Sequence, residues 1–308
     1  MKILVVGASG FIGKNLIVSL AGRNEEVVAT YMSADDFPRF VSTLQSGIKA
    51  WRCDLRDEKS VIGLFEEFGS FDKCVYLACD TRVGYLSSNQ PEDVINNILP
   101  MANFVKHYKG GPVVFFSSGA VYSGQRGLVS NKDISPSIPY AISKLAAELY
   151  LKHQSRAKSF GHIIVRFFGA YGPHEPERKI TRKLLMALKS PSDVVEFVVY
   201  GDGNNLIDVM YVDDVVNSII RILESEKINL TVDLCAGHPI TVNNYVEQVF
   251  SMFGKTPRIV HKGSVAEYIE FWASNQTFVE TFGYLPKVSL AEGLLKYKAW
   301  LDRIYVTK

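Results

Sequence analysis

One tyrosine and one lysine lie at a spacing that suits proton transfer. Tyr140 and Lys144 are four residues apart in a segment of helical character, and residues i and i+4 share one helix face. Because an ammonium close to a phenol favours the phenolate, we expect Lys144 to lower the pKa of Tyr140. Tyr140 is therefore predicted to act as a general acid and base on a carbinol or carbonyl oxygen. The same spacing also occurs where an ordinary amphipathic helix begins.

A hydroxyl group follows a predicted strand upstream of this pair. Residues 112–117 form an apolar run, and Ser118 comes directly after it. Doubly wound proteins bind ligands at the carboxyl edge of their parallel strands. We therefore expect Ser118 to lie at the ligand site.

A glycine-rich loop joins the first predicted strand to the first predicted helix. It contains Gly7, Gly10, Phe11, Ile12 and Gly13. Glycines allow the main chain to approach a pyrophosphate closely, and a helix N-terminus offers free N–H groups to an anion. The loop predicts a dinucleotide site, with a tight turn that needs glycine only for its conformation as the alternative.

The end of the second predicted strand bears on the choice of cofactor. An acidic residue normally lies there to bind the ribose hydroxyls of NAD, whereas this sequence has Ser33, with Asp35 and Asp36 slightly later. Ser33, together with Lys14 or Arg39, could accept a ribose 2′-phosphate. The sequence thus favours NADP over NAD, although the same residues could also form a simple polar turn.

Short apolar segments alternate with amphipathic segments through the first half of the chain. Predicted strands are residues 3–6, 25–31, 49–52, 74–78, 112–117 and 162–167; predicted helices are residues 13–21, 59–68, 91–107 and 141–157. Continuous apolar strands separated by helices predict an α/β fold, a Rossmann-like doubly wound parallel sheet with helices on both faces.

This rhythm breaks after Gly172 and Pro173. We predict an extended run at 206–212, a buried strand at 232–235 that rejoins the sheet, and helices at 179–188, 213–224, 243–253, 266–270 and 290–304. The predicted domains are a Rossmann domain of residues 1–172, rejoined by 206–237, and a smaller, partly discontinuous α/β substrate lobe of residues 173–205 and 238–308. The cleft between them is the expected ligand site.

The composition excludes several classes of protein. The 308 residues carry a net charge of +2 and 21% charged residues, and the sequence has no apolar stretch long enough for a membrane span. Neither nucleic acid nor a membrane is therefore an expected partner. The four cysteines lack metal-site spacing, so we predict no metal, reduced thiols and a cytoplasmic protein without a secretory leader.

Taken in order, these motifs resemble the extended short-chain dehydrogenases/reductases, the branch with nucleotide-sugar epimerases, dehydratases and reductases. The resemblance covers nearly the whole chain, including later signatures at 166–173 and 201–214. It implies that Tyr140 exchanges a proton, that Ser118 hydrogen-bonds the reacting oxygen, and that Lys144 also binds the nicotinamide ribose. Further cofactor-binding positions implied by the resemblance are Asp54, Leu55, Leu77, Ala78, Cys79 and Asn97.

The chain departs from the family pattern at two places. Gly119 and Ala120 occupy the positions of the Asp-Glu pair of the 4,6-dehydratases, so elimination of water is not expected. Ile207 occupies the position of an arginine that clamps the substrate pyrophosphate, a task suited to forked guanidinium donors. The candidate replacements, unless they form only a solvated helix face, are Arg178, Lys179, Arg182 and Lys183.

The leading prediction is reduction of a 4-keto group on a nucleotide-linked sugar by NADPH. A nucleotide-sugar 4-epimerase with tightly bound NAD is the chief alternative. Reduction of a non-sugar carbonyl and a non-catalytic cofactor-binding role are further alternatives. By analogy with the family, we also expect a homodimer.

Overall fold

A computed structural model describes residues 1–44, 47–89, 91–132 and 134–306. The strands are β1 (Lys2–Val6), β2 (Glu26–Tyr31), β3 (Ile48–Arg52), β4 (Lys73–Tyr76), β5 (Val113–Ser118), β6 (Arg126–Leu128), β7 (His162–Phe167), β8 (Ala170–Tyr171), β9 (Val194–Tyr200), β10 (Leu206–Ile207), β11 (Met210–Tyr211), β12 (Leu230–Leu234), β13 (Ile240–Thr241), β14 (Thr256–Lys262) and β15 (Glu270–Trp272). The helices are α1 (Phe11–Leu20), α2 (Phe37–Ser42), α3 (Glu58–Phe68), α4 (Val83–Ser88), α5 (Leu99–His107), α6 (Pro139–Lys158), α7 (Ile180–Ala187), α8 (Val212–Glu224), α9 (Val242–Met252), α10 (Gln276–Phe282) and α11 (Leu290–Val306).

Seven parallel strands form the central sheet, in the order β12-β7-β5-β4-β1-β2-β3. The side chains of β1 show why both faces are covered, because successive residues of a strand point to opposite faces. Ile3 packs into one apolar cluster with Leu16 of α1, and Leu4 packs into the other with Leu64 of α3. Burial of each such side chain stabilises the fold by about 1.5–3 kcal/mol. The predicted doubly wound α/β sheet is confirmed.

Several predicted elements have different bounds. Helix α1 begins at Phe11, two residues earlier than predicted, and α6 begins at Pro139. The predicted helix at 91–107 divides into a π-helical turn, Val94–Ile98, followed by α5. These shifts leave the order of strands and helices in the first half unchanged.

Two predictions in the second half are wrong. The extended run at 206–212 is two short strands: β10 pairs with β13, and β11 pairs with β8. The run breaks at Asp208, whose buried carboxylate accepts a hydrogen bond from the Gly237 N–H at 3.0 Å. The predicted helix at 266–270 is instead an irregular segment, with bends at 266 and 267, that leads into β15, which pairs in parallel with β6.

Of the later strands, β12 joins the central sheet, whereas β9 and β14 pair with each other outside it. β12 pairs in parallel with β7 at the edge of the central sheet, where the sequence predicted a returning strand. β9 and β14 form a separate parallel pair. The division of the chain into two domains stays a prediction. Among the described residues, no helix combines the length and apolar character that crossing a membrane requires.

Candidate active site

The glycine loop is shaped by close backbone approach. Gly7 has φ +79°, and a Cβ atom there would lie 2.7 Å from Cα of Ala78. A Cβ atom on Gly13 would lie 2.6 Å from the backbone of Ala8. No side chain caps the N-terminus of α1. The loop therefore needs glycine for its conformation and also leaves a helix N-terminus open to an anion.

A cavity of about 480 Å³ lies against this loop. It begins at the glycine loop and extends along the carboxyl ends of β2, β3 and β4. The predicted cofactor-binding residues that line it are Gly7, Gly10, Ser33, Asp54, Leu55, Leu77, Ala78 and Cys79. Six other predicted cofactor residues lie outside its lining, namely Phe11, Ile12, Gly13, Asn97, Tyr140 and Lys144.

Ser33 lines the cavity, and charged residues lie near it in the sequence and on the paired strand β3. The Lys14 ammonium lies 3.8 Å from a carboxylate oxygen of Asp36, so this cation already has an acidic neighbour. Arg52 of β3 donates from Nε to the main-chain oxygen of Met32 at 3.1 Å. The sequence analysis missed Arg52, although strand pairing sets it opposite Tyr31, two residues before Ser33. Cations and carboxylates are therefore mixed in this region.

Asp54 lines the same cavity but is engaged by a neighbour. Arg56 binds both carboxylate oxygens of Asp54, with Nη2 to Oδ2 at 2.8 Å and Nε to Oδ1 at 3.0 Å. The hydrogen-bonded Arg56 guanidinium lowers the pKa of that carboxyl. Asp54 thus enters the cavity as half of an ion pair.

The predicted catalytic residues meet near the carboxyl end of β5. The buried Tyr140 phenol contacts the Ser118 hydroxyl and the Cys79 thiol, and that thiol also contacts the Lys144 ammonium. Lys144 is 3% exposed and donates from Nζ to the main-chain oxygen of Phe116 at 2.5 Å. The structure therefore brings Ser118, Tyr140 and Lys144 together, with Cys79 among them.

The expected lowering of the Tyr140 pKa is wrong for this arrangement. Burial raises the pKa of the phenol, the negative charge of a Cys79 thiolate adds to the rise, and the hydrogen bond with Ser118 only partly opposes it. Lys144 points toward the Phe116 carbonyl and the Cys79 thiol rather than pairing with the phenol. Loss of hydration thus outweighs the cation one helical turn away.

Ser118 begins a short 3-10 turn, Gly119–Tyr122. Its Oγ accepts a hydrogen bond from the Ala120 N–H at 3.1 Å, which fixes the turn at the end of β5. A Cβ atom on Gly119 would lie 3.0 Å from the ring of Phe168. A larger side chain at 119 would therefore push against that ring.

Asn97 positions the loop after β4. Its Oδ1 accepts from the Asp80 N–H at 2.7 Å and from the Cys79 thiol at 3.3 Å, and its Nδ2 donates to Ser143 Oγ at 3.1 Å. Asn97 is buried and lies on the π-helical turn. It therefore links Cys79 to the catalytic helix α6 instead of facing the cavity.

The four basic residues predicted as possible phosphate contacts are separated. Arg178 donates from Nη2 to Thr81 Oγ1 at 2.6 Å, close to the cavity residues Asp80 and Arg82. Arg182 is buried and bonded to the Glu175 main chain and to Tyr305. Lys179 and Lys183 are exposed. Of the four, Arg178 is the one that reaches the edge of the cavity.

One acidic side chain near the cluster was missed by the sequence analysis. The negative charge of Glu267 contributes to the raised pKa of Tyr140, so the two groups are close. The predicted helix at 266–270 concealed this placement. Only Ile269, Glu270 and Phe271 alternate apolar and polar side chains, so no local signal in the sequence pointed to Glu267.

The residues around the cavity fit a dinucleotide. The backbone approach at Gly7, the open N-terminus of α1 and a cavity reaching from Ser33 to Cys79 are the features that such a ligand requires. The fold and the site together define an NAD(P)-dependent oxidoreductase.

Comparison with known proteins places the chain in a family. It belongs to the NAD dependent epimerase/dehydratase family, whose sequence model matches residues 3–233. Its homologues are nucleotide-sugar epimerases, dehydratases and reductases, so the resemblance to the extended short-chain dehydrogenases/reductases is confirmed, and the protein is an enzyme of that class.

Individual relatives are distant. A putative UDP-glucose 4-epimerase of Methanocaldococcus jannaschii is 24% identical over 97% of this chain and 98% of its own length. A dTDP-4-dehydro-6-deoxy-D-allose reductase of Streptomyces sp. is 25% identical over 83% of this chain and 82% of its own length. The UDP-glucuronic acid 4-epimerase of Bacillus cereus, solved with UDP-glucuronic acid and NAD, has a similar fold: the TM-score is 0.85 at 24% identity, over 99% of this chain and all of the other.

Proposed function

We propose that the protein is a nucleotide-sugar 4-epimerase that uses the cluster of Ser118, Tyr140 and Lys144. The observation that carries this proposal is the meeting of these three side chains beside a cavity suited to a dinucleotide. The M. jannaschii relative, which matches nearly end to end and is described as an epimerase, supports epimerisation over the reduction that the sequence favoured.

Each side chain has a task in this reaction. Bound NAD would take a hydride from the sugar carbon and return it. Tyr140 takes the proton of the sugar hydroxyl and returns it to the carbonyl oxygen, and Ser118 hydrogen-bonds that oxygen. Because burial raises the pKa of Tyr140 in the free protein, the phenol must first release its own proton to solvent, and only as the phenolate does it take the proton of the sugar hydroxyl. Lys144 holds a cation at the base of the site, where it opposes the negative charge that develops on the phenol.

Reduction of a 4-keto sugar by NADPH is the second candidate. Ser33 lines the cavity at the position where NAD-binding proteins carry an acidic residue, which would repel a 2′-phosphate. Arg52 adds a cation there, because it pairs with Tyr31, two residues before Ser33. This arrangement supports NADP, whereas the related B. cereus structure contains NAD.

Cofactor retention separates the two candidates. Protein purified without added cofactor should release NAD on denaturation and convert UDP-glucose to a 4-epimer with no added dinucleotide. If the protein instead arrives without NAD and oxidises added NADPH stoichiometrically with a 4-keto sugar, the reductase proposal replaces the epimerase proposal. A panel of UDP-, dTDP-, GDP- and CDP-sugars identifies the nucleotide.

Replacement of Tyr140 by Phe tests whether the cluster is catalytic. Tyr140→Phe should lower kcat about 10²–10⁴-fold, since a positioned general acid and base contributes on that order. The substrate Kd should change little. Tyr150→Phe, on the exposed side of the same helix, is the matched control and should retain full activity. An unchanged kcat in Tyr140→Phe would support the non-catalytic alternative.

A homodimer is a further part of the proposal. Exposed apolar side chains lie along α5 and α6, among them Leu99, Ile142 and Leu149, the last 60% exposed. Ile142 and Leu149 are seven residues apart and share one helix face. Light scattering on the purified protein tests the mass of the assembly. Cytoplasmic location and the absence of a nucleic-acid partner stay predictions from the sequence.

A further inference from the structure

The segment that leads into β15 presents a carboxylate on its inner face. Side chains at 265, 267, 269 and 271 are buried or partly buried, whereas those at 266, 268 and 270 are exposed, so alternate side chains face inward although the chain bends at 266 and 267. The outward Tyr268 hydroxyl lies 3.1 Å from both carboxylate oxygens of Asp202. Glu267 therefore occupies a position where the pattern calls for an apolar side chain.

Neighbouring contacts hold this segment against the catalytic loop. Phe271 pairs with Gly127 in the β15–β6 ladder, and the Leu206 N–H donates to the Ile269 oxygen at 2.8 Å. Ile269 packs with the cluster that contains Val121 and Tyr122, a few residues after Ser118. Glu267 is two residues before Ile269 on the same face, and its charge acts on the Tyr140 phenol.

One oxygen of the partly buried Glu267 carboxyl has no partner in the part of the chain that the structure describes. Its Oε1 is sealed from solvent and has no hydrogen-bond partner among the described residues. Burial raises the pKa of this carboxyl to about 7. A buried oxygen without a hydrogen bond carries a desolvation cost in the free protein. A hydrogen-bond donor on a ligand would offset that cost.

The cations at this edge of the site are already engaged. Lys144 donates to the Phe116 oxygen, Arg178 donates to Thr81, and Arg82 binds the carboxylate of Asp80. Each of these three cations therefore already has an oxygen partner in the free protein.

We propose that Glu267 selects the sugar: its carboxyl hydrogen-bonds a hydroxyl or amino substituent and disfavours a sugar that carries a carboxylate. This inference rests on the proposed function, because it assigns the substituent that the same site accepts. Like-charge contacts of this kind are a common way to reject the wrong partner.

Calorimetric binding of UDP-glucose and UDP-glucuronic acid tests the inference. The wild-type protein should bind UDP-glucose about 10-fold or more tightly than UDP-glucuronic acid, since a buried like-charge contact opposes the uronate. Glu267→Gln keeps the shape and removes the charge, so the ratio of the two Kd values should approach one. In turnover, the same change should appear in KM rather than in kcat.

The matched control is Glu270→Gln on the outer face of the same segment, where Glu270 pairs with Arg126. This variant should keep the wild-type ratio of Kd values. If Glu267→Gln does not fold, as judged by thermal melting, Glu267→Ala replaces it. A ratio equal in wild type and the Glu267 variant would overturn the inference alone. Failure of wild type to bind either compound would overturn the proposed function and the inference with it.

Discussion

Glu148, which is fully buried, and Glu267, which is partly buried, differ in how their oxygens are bonded. Glu148 of α6 is fully buried, and its Oε1 accepts from Ser117 Oγ at 2.6 Å and from Arg166 Nε at 3.0 Å, while Oε2 accepts from Arg166 Nη2 at 2.8 Å. Glu267 has a sealed Oε1 that no described residue bonds. Each carboxylate has at least one buried oxygen, so the two differ in whether that oxygen has a hydrogen-bond partner among the described residues.

The Glu148 pair belongs to a wider network that positions the site. Arg166 Nη1 donates to the Tyr122 hydroxyl at 3.0 Å, and that hydroxyl donates to Asp233 Oδ1 at 2.9 Å. The network joins α6, which carries Tyr140, to β7, β12 and the turn after Ser118. It therefore fixes the catalytic helix relative to the carboxyl end of the sheet.

Breaking the paired glutamate should have the largest effect on stability. Glu148→Ala leaves the Arg166 guanidinium buried without its partner, which should cost about 3–5 kcal/mol in the free energy of unfolding. Urea unfolding at pH 7 measures it. The double variant Glu148→Leu with Arg166→Met removes both charges and should recover most of the loss. A single variant within about 1 kcal/mol of wild type would contradict a structural role for the pair.

The unpaired glutamate should respond in the opposite direction. In the folded protein the pKa of Glu267 is about 7. In an unfolded chain the pKa of a glutamate is about 4.3. Its contribution to stability is full below the unfolded pKa and is lost as pH rises through about 7. Glu267→Gln should therefore resemble wild type at low pH and be more stable by roughly 1–3 kcal/mol once pH is well above the folded pKa.

Urea midpoints at low and high pH test this difference. Glu270→Gln removes the same charge from an exposed position and should show little change with pH relative to wild type. A Glu267→Gln variant less stable than wild type at high pH would mean that the carboxylate has a favourable partner in the free protein, and the contrast with Glu148 would disappear.

Short-range sequence patterns predicted the part of the site that the glycine loop and helix α6 form. The glycine loop and the helix with Tyr140 and Lys144 depend on residues a few positions apart, and the continuous apolar strands specify a buried parallel sheet. These features appear where the sequence predicted them, with helix bounds shifted by about two residues.

Contacts between distant segments account for what the sequence did not predict. The segment around Glu267 is not helical, and it leads into β15, which pairs with β6 more than 140 residues earlier, as the 144-residue separation of Arg126 and Glu270 shows. The pKa of Tyr140 rises because several elements bury it, whereas the sequence displayed only the lysine one turn away. Burial and long-range pairing decide both features, and neither is encoded in short spacings.

The smallest expected effect comes from a glutamate that is paired but exposed. Arg126 Nε lies 3.1 Å from Glu270 Oε2, and the side chains are 81% and 45% exposed. Solvent screens this pair, so Glu270→Gln should change the free energy of unfolding by about 0.5 kcal/mol or less. Urea unfolding in low and high salt measures it, and the small difference should vanish at high salt. A loss comparable to that of Glu148→Ala would show that pairing matters irrespective of burial, and the contrast between buried pairs and exposed pairs would fail.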